Sequence, residues 1–222
     1  HNHPELLDAP APFAELAQQA LRLSAIGEHP QQPLPPLPAR FSVDVPGRKW
    51  LQVQAFASSL QFSQPPQHWL DWCAGKGHLG RLLTQRGGEL TCLELDQQLV
   101  EDGQRLSERL GIRAKHQQQD VLAADAELQL KPSHTLVALH ACGDLHTHLL
   151  KLASASSCTQ LAIAPCCYNR ISSATYQPLS HHGQRSNLNL SKDDLSLPLN
   201  ETVTAGLRTR QQRDLSMARR LG

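Results

Sequence analysis

The apolar pattern of the chain changes character near residue 67 of 222. Before that point, apolar positions recur at helical spacing in two places. Residues 12–26 carry Phe13, Leu16, Ala17, Ala20 and Leu21 on one stripe and predict a helix, with Gly27 as its C-cap. Residues 47–60, GRKWLQVQAFASSL, put Trp50, Val53, Ala57 and Leu60 on one side and predict a second helix. Its leading Arg48 and Lys49 read either as solvated charge or as a cation turned toward a site on the following domain. Eleven of the fifteen prolines lie at or before Pro66, so short helices and stiff connectors are expected there, not sheet. The run 29–38, HPQQPLPPLP, reads as an extended linker of polyproline type.

From residue 67 onward, short apolar runs alternate with helical patterns. A buried strand ends in Asp71, and strands follow at 89–95, near 112–116, at 134–139 and at 160–164. Helices are predicted after the glycine-rich loop (Leu79, Leu82, Leu83), over 97–110, and over 144–153. Repeated β–α units predict an α/β fold, a Rossmann-like doubly wound parallel sheet with an N-terminal helical, Pro-rich extension. The expected division is an extension at 1–64, a nucleotide-binding domain at 65–168 and a polar, Arg-rich segment at 169–222. No pair of apolar strands follows residue 168, so the sheet is expected to stop at five strands. A helix is expected near 204–221. The chain begins at His1 and holds a single methionine, Met217, which reads as a fragment or a processed chain.

A net charge of +1 gives no global drive toward polyanions, so any such binding needs a local patch. The arginines at 208, 210, 213, 219 and 220 could offer one, although a solvated amphipathic helix face is the simpler account of them. No run of about 18 apolar residues exists, so no membrane span is expected. Six cysteines at 73, 92, 142, 158, 166 and 167 lie in or beside strands. That usage suits reduced thiols in a cytoplasmic compartment.

The candidate chemistry sits at the predicted strand ends, where ligands of such sheets bind. Gly75-Lys76-Gly77-His78-Leu79-Gly80 spells the dinucleotide pattern G-x-G-x-x-G, with Glu94 nineteen residues after Gly75. Asp71, however, closes the strand before this loop, where a pyrophosphate would be repelled. A carboxylate there suits S-adenosylmethionine, whose ammonium and sulfonium are cationic. Glu94 can accept from both ribose hydroxyls, and Asp120 can meet the adenine amino group. Three carboxylates at three successive strand ends fit one cationic nucleoside better than NAD.

The chain resembles class I S-adenosylmethionine-dependent methyltransferases. More narrowly it is similar to a methyltransferase-domain family with DxCxGxGH, ALHACGDL and PCCY motifs, here Asp71–His78, Ala138–Leu145 and Pro165–Tyr168. The resemblance covers about residues 45–168 and includes the GRKW helix. It implies the class I core, here without its last two strands, and cofactor binding by Asp71, Cys73, Gly75, Gly77, Glu94, Asp120 and His140. Cys73 stands where the general class I loop has its first glycine. The resemblance implies methyl transfer without settling the acceptor, since members of the family resemble both RNA and protein modifiers. Taken with the local arginines it puts RNA first and protein second, and a domain that binds the cofactor without catalysis is the competing class.

His140, Cys142, Asp144, Cys166 and Cys167 follow the fourth and fifth strands and should gather near the transferable methyl. Under the first reading they shape the acceptor pocket as the catalytic group, with His140 or Asp144 taking a proton. A metal site on Cys142, Cys166, Cys167 and His146 or His148 is a second reading; without a C-x-x-C pair, no metal is assigned. A nucleophilic cysteine at Pro165-Cys166 is a third, and inert buried thiols the last.

Overall fold

The computed structural model describes residues 10–25, 27 and 29–200. The helix expected at 204–221 and its arginines lie outside the described residues. Residues up to Gln32 form one compact unit, and those from Pro33 onward form another. The first contains helix α1 (Phe13–Ser24).

In the second unit α2 (Gly47–Ser59) precedes the strands. These are β1 (His68–Trp72), β2 (Glu89–Glu94), β3 (Ala114–Gln118), β4 (His134–Leu139) and β5 (Gln160–Ala164). Helices α3 (His78–Leu83), α4 (Gln97–Arg109) and α5 (Asp144–Ala155) connect them, and α6 (His181–Gln184) and α7 (Lys192–Asn200) follow. Helix α4 starts sharply because the Asp96 carboxylate accepts the Gln98 and Leu99 N–H groups. The third strand begins later than its apolar pattern predicts. The Gly111 and Ile112 N–H groups bond back to the Glu108 and Ser107 carbonyls, so residues 110–113 close the helix rather than open the strand.

All pairings are parallel, in the order β3-β2-β1-β4-β5. The chain runs outward from β1 to β3, then returns to the other side of β1 as β4. That reversal opens a crevice beyond the carboxyl ends of β1 and β4.

Strand residues alternate between two cores, so both faces of the sheet are covered. Trp69, Leu90, Cys92 and Val137 pack with Val53 and Ala57 of α2, with Leu60 at its C-cap and with Leu79, Leu82 and Leu83 of α3. Leu70, Trp72, Leu93, Leu136 and Ala138 pack on the opposite face with Leu149 and Ala153 of α5. Helix α2 is thus part of the sheet's core and not an appendage to it. Each large side chain so buried contributes about 1.5–3 kcal/mol of transfer free energy. The two buried indoles keep their N–H groups satisfied, Trp69 to the Gly87 carbonyl (2.8 Å) and Trp72 to that of Leu145 (3.1 Å). No helix among the described residues is long and apolar enough to cross a membrane.

Candidate active site

The loop after β1 is held by its own backbone and by one buried cation. Cys73 takes φ 57°, uncommon for a residue with a side chain, and the Ala74 N–H reaches the Leu93 carbonyl (2.9 Å). Gly77 caps α3 at φ 72°, and a Cβ there would stand 2.6 Å from His116 Cε1 and 3.0 Å from Cys92 Sγ. Its glycine therefore serves packing against β2 and β3. The fully buried Arg81 donates to the Lys76 and Gly103 carbonyls and so ties the loop to α4. Lys76 adds an ion pair with Asp102 at 3.0 Å.

A cavity of about 250 Å³ opens at the β1–β4 crevice. Asp71, Cys73, Gly75, Glu94 and His140 line it, joined by Lys49 from α2. Five of the residues read as cofactor ligands in the sequence therefore share one cavity; Gly77 and Asp120 do not line it. Asp120 is exposed after β3, and its carboxylate accepts the Leu122 N–H at 2.9 Å. Asp144 faces a different cavity, of about 220 Å³, with Thr147, His148 and Ser172, and its carboxylate accepts the Ser172 N–H. A wider concavity, about 940 Å³, lies at the amino ends of β1 to β3 around His68, Glu89 and Lys115, away from the loop.

The cavity's charges are unevenly satisfied. Asp71 is 2 % exposed, and its Oδ2 accepts one N–H, from Gly80 at 2.9 Å. Burial pushes its carboxyl up to about 7, against the pull of the Gly80 N–H and Arg81. Glu94 accepts from Gly75 N–H at 2.7 Å and from Leu95 and Asp96 N–H at 2.9 and 3.1 Å, which fixes its orientation. His78, also lining the cavity, is pushed down to about 4 by burial and then by Arg81 and Lys49, so it is neutral at neutral pH. His140 takes φ 67° and sets Nε2 3.1 Å from Gln52 Oε1 of α2. When Nε2 donates in that contact, Nδ1 is left as the acceptor. Burial, then Lys49, lowers the His140 pKa. Sequence reading missed Gln52 and His78; nothing in the spacing of α2 distinguishes Gln52 from a solvated glutamine.

The thiols at the ends of β4 and β5 come together. Cys142 Sγ lies 3.1 Å from Cys166 Sγ, and Cys166 Sγ lies 3.5 Å from Cys167 Sγ. The segment carrying Cys166 and Cys167 is pinned to the start of α5: a Cβ on Gly143 would fall 1.7 Å from the Arg170 carbonyl oxygen. No residue but glycine allows that approach. The Asp144 N–H donates to the same carbonyl at 3.0 Å. Burial and Cys73 couple this cluster to the cavity: burial, then Glu94, Asp71 and Cys142, push the Cys73 thiol up to about 12.

A family model described as a methyltransferase domain matches residues 48–174, more than half of the chain. No curated protein matches it. Among solved structures, YjhP from E. coli is 16% identical with a TM-score of 0.42, covering 71% of this chain and 65% of that one. A tRNA (uracil-54, C5)-methyltransferase of Pyrococcus abyssi, in complex with S-adenosyl-L-homocysteine, is 21% identical at TM-score 0.43, covering 54% of this chain and 28% of that one. A geranyl diphosphate methyltransferase in complex with GPP and sinefungin is 20% identical at TM-score 0.40, covering 47% of this chain and 39% of that one. The chain thus spans less than half the length of the last two. With the model match covering the glycine loop, the β4 and β5 ends and α2 together, the chain belongs to the methyltransferase-domain family.

Proposed function

We propose that the chain binds S-adenosylmethionine in the cavity at the β1–β4 crevice and transfers its methyl group to RNA. One observation carries the cofactor reading: Asp71, Gly75, Glu94 and His140 line one cavity, and the buried Asp71 carboxylate has a single N–H donor. A carboxylate held near neutrality by burial gains most from a cationic ligand and least from a pyrophosphate. That favours S-adenosylmethionine over a dinucleotide at this G-x-G-x-x-G loop.

When bound, S-adenosylmethionine supplies an electrophilic sulfonium methyl group. In this reading Asp71 accepts from the ammonium of its methionine end, with Cys73, Gly75 and Gly77 shaping the loop around it. Glu94, already oriented by three backbone N–H groups, uses its remaining lone pairs for the ribose hydroxyls. Asp120, exposed after β3 and outside the cavity's lining, is assigned the adenine amino group. The chain's own catalytic contribution is orientation, with His140 Nδ1 as the proton acceptor and Cys166 and Cys167 bounding the acceptor side. Asp144 acts at one remove, holding the Cys166 segment through Ser172. Six free cysteines support a reducing, cytoplasmic setting.

RNA as acceptor rests on the family resemblance and on arginines outside the described residues. Incubation with methyl-labelled S-adenosylmethionine and fractionated RNA and protein tests it. The expected result is label in RNA, falling about 100-fold or more in His140→Ala. Label in protein moves the acceptor to a side chain. Bound cofactor with no label in either fraction leaves a binding module and ends the catalytic reading.

A further inference from the structure

We propose that Cys142, Cys166 and Cys167 together form a binding site for a soft divalent cation, with Zn²⁺ as its representative. All three sulfurs lie within 4.8 Å of one another, although Cys142 is 24 residues from Cys166 in the chain. Zinc–thiolate bonds of about 2.3 Å in a tetrahedron place the sulfurs about 3.8 Å apart. The spacings of 3.1 and 3.5 Å between neighbouring sulfurs reach that value by spreading less than about 1 Å.

Two further observations favour a metal over a simple thiol pair. The Cys166 and Cys167 N–H groups donate to Cys142 Sγ at 3.4 and 3.2 Å. Backbone N–H bonds to sulfur are the outer contacts that orient metal thiolates and stabilise their charge, whereas a disulfide sulfur is a poor acceptor. A disulfide also uses two sulfurs, and the third is left unexplained. The backbone is set beforehand, since the Arg170 carbonyl packs against Gly143 and the Ser172 N–H bonds Asp144. All three cysteines are partly exposed, so an ion has access.

Binding a divalent ion exchanges three thiol protons, released to solvent, for three metal–sulfur bonds. Among the described residues no fourth ligand joins the group, so one coordination position remains for water or a small ligand. Three protein ligands and an open position are the arrangement of catalytic rather than structural zinc. Metal uptake is measured without cofactor or acceptor, so its outcome is distinguishable from that of the methyl-transfer test.

The test uses the full chain, reduced and stripped of metal, titrated with Co²⁺ and then with Zn²⁺. One equivalent of Co²⁺ with a sulfur-to-cobalt charge-transfer band, displaced by Zn²⁺, is expected. Affinity should fall at least about tenfold in each of Cys142→Ser, Cys166→Ser and Cys167→Ser, and remain unchanged in Cys158→Ser. Should a variant fail to fold, iodoacetamide labelling of the unmodified chain decides: Zn²⁺ should protect Cys142, Cys166 and Cys167 but not Cys158. A charge-transfer band that survives Cys142→Ser overturns the site. So does a Cys142–Cys166 disulfide formed in air by a chain whose reduced form takes up no metal.

Discussion

Asp71 is the residue on which the cofactor reading turns, and its burial has a measurable consequence. Burial raises its pKa to about 7 from an ordinary 3.8. Between those values the folded chain holds the proton and the unfolded chain does not, so this group's contribution to stability falls as pH rises through that window. A cationic ligand favours the carboxylate and expels the proton. Binding of S-adenosylhomocysteine, whose ammonium remains, should therefore tighten about tenfold from pH 6 to pH 8 and level off above. Calorimetry at the two pH values checks this, and Asp71→Asn should flatten the dependence. Gly77 makes a second prediction. A methyl group there meets His116 and Cys92 at φ 72°, so Gly77→Ala should cost about 2–4 kcal/mol in a denaturant titration, steric overlap adding to left-handed strain. The glycine pattern in the sequence suggested backbone approach to a ligand. Yet at Gly77 the neighbours are protein, and no spacing rule separates those two uses.

Among the elements, α3 is the most revealing. All six of its residues are buried, including His78 and Arg81, which spacing alone would leave on a solvated face. Leu82→Ala should cost about 2–5 kcal/mol, read as a shift of the unfolding midpoint, because α3 is sealed between α2 and the sheet. The central strands were legible because runs such as HTLVAL are short and apolar on both faces, as expected of a strand covered on both sides. Boundaries were less so. The third strand slipped because Ile112 looks apolar in sequence but spends its N–H on the end of α4. The GRKW helix was legible as a helix. Of the two readings of its leading charges, the cation turned toward the site is the one the cavity favours, since Lys49 lines it; the Gln52 contact with His140 arises through the fold alone.

At the scale of the molecule, the strand order puts the ends of β1 and β4 side by side, and the chemistry follows from that adjacency. Asp71 and Val137 stand in register, so the acidic loop and the His140 turn face each other across one crevice. The sequence allowed the strand-end residues to be named but not sorted. Topology separates Asp144, which faces another cavity, from His140, and draws Cys142 against the adjacent Cys166 and Cys167. That sorting depends on turns with positive φ at Cys73 and His140, which a side-chain pattern does not announce. Whether this crevice holds S-adenosylmethionine is decided by calorimetric titration with S-adenosylhomocysteine and with NAD. Saturable binding of S-adenosylhomocysteine, weakened at least about tenfold in Glu94→Gln by loss of a charged acceptor, is predicted. Tight NAD binding with no response to S-adenosylhomocysteine would contradict it.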